Sequence, residues 1–73
     1  MMSLGESIKI MRQKAFYTQE ALAKEINVAV STVNRWESGK SKPNLTAMKA
    51  IKEFCERNKV SYEDIETAWF ENN

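Results

Sequence analysis

Apolar residues recur along this chain three or four positions apart, which is the period of one face of an α-helix. The first such stripe consists of Leu4, Ile8, Met11 and Ala15. Ser3 with Glu6 three positions later has the pattern of a capping box, so we predict a first helix over 3–15. The chain lacks the strict alternation of apolar and polar residues that predicts a β-strand.

The next two helices are predicted to be short and joined by a tight turn. Thr18 is a good N-cap for a second helix over about 18–26. Asn27 tolerates a left-handed backbone better than most residues do, so it can end that helix and turn the chain. A third helix is predicted over about 30–38, closed by Gly39. Two helices connected in this way have the geometry of a helix-turn-helix.

Two further helices complete the pattern. Asn44 is predicted to cap a fourth helix, which carries Leu45, Met48, Ile51 and Cys55 on one face and Phe54 beside them. Ser61 is predicted to cap a fifth helix over about 62–70, with Asp64 as the reciprocal acid of a second capping box. Its inward residues are expected to be Tyr62, Ile65, Ala68 and Trp69. Five short helices with short connections predict a compact all-α fold.

Composition narrows the class of protein. The 73 residues suffice for one domain over 1–73 with a small core, and 42% hydrophobic with 29% charged residues is typical of a globular protein. The sequence has no apolar run of membrane-spanning length and no signal-peptide pattern, so we expect no membrane partner. A single cysteine fits the reducing cytoplasm, where we expect the protein to act.

Charge is unevenly distributed although the net charge is only +1. Residues 1–45 carry seven basic and four acidic side chains, whereas residues 46–73 carry four basic and six acidic ones. A surface polarised in this way can turn one face toward phosphate. A random distribution of charged residues along the chain can produce the same counts, so charge alone does not decide whether the protein binds nucleic acid.

The third predicted helix has an unusual outer side. At about 100° per residue, Val33, Trp36 and Glu37 fall together on one side and are expected to face the core. The opposite side carries Ser31, Asn34, Arg35 and Ser38, with Val30 at its flank. This outer side is small, hydrogen-bonding and positively charged, so it can enter a major groove about 12 Å wide.

The segment TQEALAKEINVAVSTVNRWESGKSKPN resembles the phage-repressor and Cro-like helix-turn-helix family of bacterial transcription regulators. The matching features are Thr18–Gln19, Leu22–Ala23, Ile26–Val28, the run Ser31–Gly39 and the basic loop with Pro43. The resemblance extends over about 4–65. It implies a lambda-repressor-like DNA-binding domain that recognises a specific duplex sequence and regulates transcription, with repression as the expected mode.

The resemblance also implies roles for individual residues. In the family the third helix lies in the major groove, which implies base contacts from Val30, Ser31, Asn34 and Arg35. Phosphate contacts are implied for Gln19, Ser38, Lys40 and Lys42. A structural ion pair that ties the first helix to the third is implied for Arg12 and Glu37. The sequence does not decide whether Arg35 binds a guanine or a phosphate.

The chain departs from the family pattern at the start of the third helix. Ala29 stands where the family usually has Ser or Thr, so the usual N-cap is missing. Ser31 is the alternative cap, and it would shift the helix start by two residues. Val30 replaces a residue that often reads bases, and its apolar side chain can touch a thymine methyl but cannot pair with a base edge.

The remaining residues bear on other classes of function. The chain has no His and one Cys, so we expect no metal site, no cofactor and no enzymatic activity. The acidic, aromatic end YEDIETAWFENN favours an alternative, a protein-interaction module on the same fold such as an antitoxin or adaptor. Trp69 and Phe70 are adjacent in the last helix, so Phe70 is expected to be exposed and this helix is a candidate homodimer contact.

Overall fold

A computed structural model describes residues 2–71, which form five helices joined by short loops. The helices are α1 (Leu4–Lys14), α2 (Gln19–Glu25), α3 (Val30–Glu37), α4 (Leu45–Asn58) and α5 (Glu63–Glu71). No β-strand occurs within this described range, and the all-α fold class is confirmed. None of these helices is both long enough and apolar enough to cross a membrane.

Side chains cap three of the helices as predicted. Ser3 Oγ accepts the Glu6 N–H at 3.1 Å, and Glu6 Oε1 accepts the Ser3 N–H at 3.5 Å, so the capping box of α1 is confirmed. The side-chain oxygens of Thr18 and Asn44 each accept the backbone N–H three residues later, at 3.0 and 2.8 Å. Each of these oxygens satisfies a donor that the first turn of a helix leaves unpaired.

The start of α5 differs from the prediction. Ser61 Oγ accepts the Glu63 N–H at 3.3 Å, only two residues on, and α5 begins at Glu63. The capping box predicted with Asp64 is therefore wrong. The negative side chains of the first turn remain favourable there, because the N-terminal end of a helix carries partial positive charge.

The core draws on all five helices. Its apolar members are Leu4, Ile8, Met11, Leu22, Ala23, Ile26, Val33, Trp36, Met48, Ile51, Phe54, Cys55 and Ile65. Leu45, which we predicted to be inward, is 74% exposed, and that prediction is wrong. It is the first residue of α4 and borders an open groove between α4 and α5, which Phe70 also borders.

The contacts between the helices determine which side of α3 remains exposed to solvent. Helix α1 packs against both α3 and α5, and α2 packs against α3. Tyr17, just before α2, meets Phe54 of α4 edge to face with ring centroids 4.8 Å apart. Helix α3 is therefore held from its inner side, and its outer side faces solvent.

Candidate nucleic-acid interface

The outer side of α3 is polar and exposed, as the periodicity predicts. Val33 and Trp36 are buried in the core, while Ser31, Asn34 and Arg35 are exposed. The polar side chains therefore project from a helix whose apolar side is already fully used. No other part of the described chain covers this strip.

The turn before α3 depends on a left-handed residue. Asn27 has a φ of 61°, and the Val28 N–H bonds back to the Ala23 carbonyl at 2.9 Å. Asparagine enters this region at lower cost than most residues with a Cβ. The chain thus turns within the four residues between the two helices, and α3 packs against α2.

The start of α3 has no side-chain cap. Ala29 occupies the N-cap position, and the helix begins at Val30, so the alternative in which Ser31 caps and shifts the start is wrong. Val30 is 43% exposed at the edge of the outer side. The backbone conformation of Ala29, with φ −70° and ψ 148°, is already that of a normal N-cap.

Arg12 and Glu37 form an ion pair beneath the outer side of α3. Arg12 Nε lies 2.8 Å from Glu37 Oε2, and Arg12 Nη2 lies 3.0 Å from Glu37 Oε1. The two side chains are 11% and 5% exposed, and Arg12 Nη1 also donates to the Tyr17 carbonyl at 2.7 Å. This two-bonded geometry orients α3 relative to α1, and removing either partner would leave a buried charge unpaired.

Gln19 connects this ion pair to the outer side of α3. Its Nε2 donates to Glu37 Oε1 at 3.0 Å, and its Oε1 accepts from Asn34 Nδ2 at 3.4 Å. Two residues that the family resemblance marks as DNA contacts therefore contact each other. One N–H of the Gln19 amide is used by Glu37, and the second has no bond described in residues 2–71.

Three further residues that were predicted to contact DNA lie together at the end of α3. Ser38 Oγ donates to the Arg35 carbonyl at 3.3 Å, and the Lys40 N–H donates to the same carbonyl at 2.9 Å. Arg35 Nη2 reaches the Lys40 carbonyl at 3.5 Å. Gly39 allows this tight wrap because its φ of 79° is unfavourable for residues with a Cβ. Arg35, Ser38 and Lys40 therefore form one exposed polar cluster.

Lys42 lies against α5. It is half-buried, and its Nζ is 4.7 Å from the centre of the Trp69 ring. The Trp69 indole N–H donates to the carbonyl of the neighbouring Pro43 at 2.7 Å. The structure thus associates Lys42 with α5, a placement that the sequence did not predict.

One residue that the sequence analysis did not single out supports the whole site. Gly5 is buried in the first turn of α1, where an added Cβ would lie 2.7 Å from the carbonyl oxygens of both Trp36 and Glu37. Helix α1 can approach the end of α3 this closely only because the side chain is absent. A glycine placed inside an otherwise good helix pattern was the available signal, since such a residue weakens the helix unless packing requires it.

Among residues 2–71 there is neither a metal-binding cluster nor an exposed thiol. Residues 2–71 contain no group of three or more His, Cys, Asp or Glu side chains placed to hold a metal ion. Cys55 is buried in the core, where burial raises the pKa of its thiol to about 11, with a smaller contribution from the Glu56 charge. A thiol with so high a pKa is a poor nucleophile.

Together these features define the class of protein. A short α2, a left-handed turn and an α3 with a free polar side constitute a helix-turn-helix of the DNA-binding all-α class. The helix-turn-helix family model matches residues 8–65, and this chain belongs to that family, of the Cro/C1 type.

A curated relative agrees with this assignment. The HTH-type transcriptional activator BcrR of Enterococcus faecalis is 36% identical over 53 residues, which is 73% of this chain. The match spans only 26% of that protein, so the similarity concerns one part of a longer relative. No solved structure gives a significant match to this chain.

Proposed function

We propose that this protein binds a specific double-stranded DNA sequence and regulates transcription, with α3 in the major groove. The observation that carries the proposal is the exposed polar strip of α3, whose opposite side is buried through Val33 and Trp36. A major groove admits a helix of this kind, and small or hydrogen-bonding side chains on it can approach base edges. Membership of the helix-turn-helix family and the transcriptional role named for the relative support the same function.

Base contacts are assigned to Val30, Ser31, Asn34 and Arg35. Arg35 is exposed on the strip and can form two bonds with a guanine edge. Asn34 suits adenine, but it first has to exchange its 3.4 Å bond to Gln19 for bonds to the base. Val30 contributes an apolar contact to a thymine methyl.

Phosphate contacts are assigned to Gln19, Ser38, Lys40 and Lys42. Gln19 is oriented by its bond to Glu37, which leaves its second amide N–H for a phosphate oxygen. Ser38 and Lys40 lie in the exposed cluster at the end of α3. Such contacts position the helix and provide affinity that depends on salt, without selecting a sequence.

Repression in the cytoplasm is the mode of action we assign. Occupying a DNA site can block transcription through binding alone, without any further contact. A reporter gene downstream of the bound sequence tests this mode. Lower expression on adding the protein supports repression, and higher expression indicates the activator role that the relative's name carries.

The binding experiment is a selection from random duplexes followed by a salt titration on the selected sequence. Arg35→Ala is expected to lose most of its preference for that sequence, because a two-bonded arginine–guanine contact contributes roughly 1–3 kcal/mol of discrimination. Lys40→Ala is expected to weaken binding to all duplexes about equally and to lower the salt slope by about one unit.

The matched control removes a lysine charge outside α3 and its loop. Lys59→Asn does so at the end of α4, where the left-handed φ of 55° suits asparagine. This variant is expected to keep both preference and salt slope near those of the unaltered protein. Unchanged sequence preference in Arg35→Ala would reject the assigned face of α3.

A homodimer through the C-terminal helix is the assembly we propose. Leu45 and Phe70 are 74% and 62% exposed and border an apolar groove between α4 and α5. Its rims carry Lys49 and Lys52 on α4 and Glu66 on α5. In a two-fold dimer the basic rim of one copy can face the acidic rim of the other. Trp69, which we also placed at this contact, already uses its N–H within the chain.

The same groove supports the alternative function as an antitoxin or adaptor. Sedimentation of the protein with and without Phe70→Ala distinguishes the two. Concentration-dependent dimerisation that this substitution abolishes supports the homodimer. A monomer that binds no duplex at about 50 mM salt, and that captures one stoichiometric partner protein through Phe70, would select the interaction module instead.

A further inference from the structure

The loop that follows α3 is anchored at three points. Its first half is bonded to α3, because the N–H groups of Lys40 and Ser41 donate to the Arg35 carbonyl at 2.9 and 3.4 Å. Its end is bonded to α4, where Asn44 Oδ1 accepts the Ala47 N–H. Between these, the Pro43 carbonyl accepts the Trp69 indole N–H at 2.7 Å.

The anchor through Trp69 differs in kind from the other two. Those two join the loop to the helices directly before and after it in the chain, whereas Trp69 lies 26 residues from Pro43. Pro43 is fully buried, and Lys42 beside it stacks on the face of the same indole at 4.7 Å. One side chain therefore restrains two consecutive loop residues through a hydrogen bond and a cation–π contact.

We propose that Trp69 is a positioning residue for DNA binding. Its indole holds residues 39–44 in the conformation in which Lys40 and Lys42 meet the DNA backbone, although Trp69 itself touches no DNA. This inference rests on the proposed function, because it assigns to α5 the control of a loop that carries two of the phosphate contacts.

The physical basis is the entropy of ordering the loop. Fixing the backbone of one residue has a conformational free-energy cost, so a loop ordered before binding loses less on contact with DNA. Trp69 lies in the last turn of α5, near Glu71, and helix ends fray. The order of the basic loop therefore depends on the last turn of a helix that is distant from it in sequence.

Trp69→Phe tests the inference, since it keeps an aromatic face for Lys42 but removes the N–H donor. Tyr62→Phe is the matched control. It removes the hydrogen bond that the Tyr62 hydroxyl, one residue before α5, donates to the Met48 carbonyl of α4 at 3.4 Å, and it leaves the loop contacts intact. Each variant loses one hydrogen bond from an aromatic side chain to a backbone carbonyl, but only the bond of Trp69 goes to the loop.

Hydrogen exchange of the free protein is the first measurement. The amides of Lys40 and Ser41 report loop order, because both are bonded to the Arg35 carbonyl. Their exchange is expected to accelerate about tenfold in Trp69→Phe and to stay unchanged in Tyr62→Phe. Duplex affinity, measured well below the unfolding temperature of each variant, is expected to fall about fivefold to tenfold in Trp69→Phe alone.

The outcomes separate this inference from the proposed function. Normal DNA binding by the unaltered protein, with loop exchange or affinity changed equally in both variants, would overturn the positioning role only. Unchanged exchange of the Lys40 and Ser41 amides in Trp69→Phe would overturn it as well. Failure of the unaltered protein to bind any duplex would overturn the proposed function, and the DNA role of Trp69 with it.

Discussion

Three residues with side chains adopt left-handed backbone conformations within residues 2–71. They are Phe16, Asn27 and Lys59, with φ values of 62°, 61° and 55°. Asparagine is suited to this conformation, whereas a residue such as phenylalanine pays roughly 1–2 kcal/mol for the close approach of its Cβ to the backbone. Phe16 is also 96% exposed, so the structure shows no packing that compensates for its conformation.

Phe16→Gly is expected to stabilise the protein by about 0.5–1 kcal/mol. Glycine removes the left-handed strain, and its greater entropy in the unfolded chain offsets part of the gain. Urea unfolding measures the change, and Asn27→Gly is the control with a smaller expected effect. Destabilisation by Phe16→Gly would mean that the phenyl ring makes a stabilising contact in solution.

Ala29→Ser is expected to stabilise the protein by about 1 kcal/mol. The backbone at this position is already in the N-cap conformation, and only the side-chain oxygen that would accept an N–H of the first turn is missing. Thermal and urea unfolding measure the gain. Ser31→Ala, at the second position of α3, is the control and should change stability by less than about 0.5 kcal/mol. Equal effects of the two substitutions would contradict this assignment of the cap.

At the level of helices, the close backbone contact between α1 and α3 matters more for stability than helix propensity does. Helix α1 meets the end of α3 at Gly5, directly beside the carbonyl oxygens of Trp36 and Glu37. The same end of α3 is held by the ion pair from Arg12. The contact between α1 and α3 therefore combines the missing side chain of Gly5 with the Arg12–Glu37 ion pair, and together they orient α3 relative to α1.

Gly5→Ala is expected to destabilise the protein by about 1–3 kcal/mol, since the added carbon would lie 2.7 Å from two backbone oxygens. Helix propensity alone predicts the opposite sign, a gain of up to about 1 kcal/mol. Urea unfolding measures the difference. Lys9→Ala, an exposed substitution in the same helix, is the control. A stabilising Gly5→Ala would show that the two helices separate at little cost.

For the molecule as a whole, one compact core buries a titratable thiol. Burial raises the pKa of Cys55 from its ordinary 9.0 to about 11, and the charge of Glu56 adds to the effect. Partial burial, followed by the charge of Glu66, also raises the pKa of Tyr62. Both groups therefore hold their protons more tightly in the folded protein than in the unfolded chain.

Stability is expected to decline as the pH rises from about 9 to about 11. Below this range Cys55 is protonated in both states and its contribution is fully present. Within the range the unfolded chain loses the proton first, which favours unfolding by roughly 2–3 kcal/mol in total. Urea unfolding at a series of pH values measures this loss. Cys55→Ala should show a shallower alkaline decline, and an identical slope would contradict the role of Cys55.

Much of the fold was predictable because its signals are local. Caps such as Thr18 and Asn44, and the turn residue Asn27, act through bonds and backbone angles within a few positions of themselves. The predicted bounds of α1, α2, α3 and α5 therefore differ from those of the structure by at most one residue at each end. Leu45 was predicted to be inward but is exposed, because periodicity identifies a shared face but not whether a neighbouring helix covers its end.

The sequence by itself determined the helices, the turn and the polar side of α3, since each follows from the order of residues within one or two helical turns. Three contacts were decided only by the tertiary structure. Gly5 packs directly against the end of α3, the Gln19 and Asn34 side chains form a hydrogen bond, and Trp69 contacts the loop at Lys42. These contacts join residues 15 to 32 positions apart. No local pattern encodes them, because they depend on how five helices share one small core.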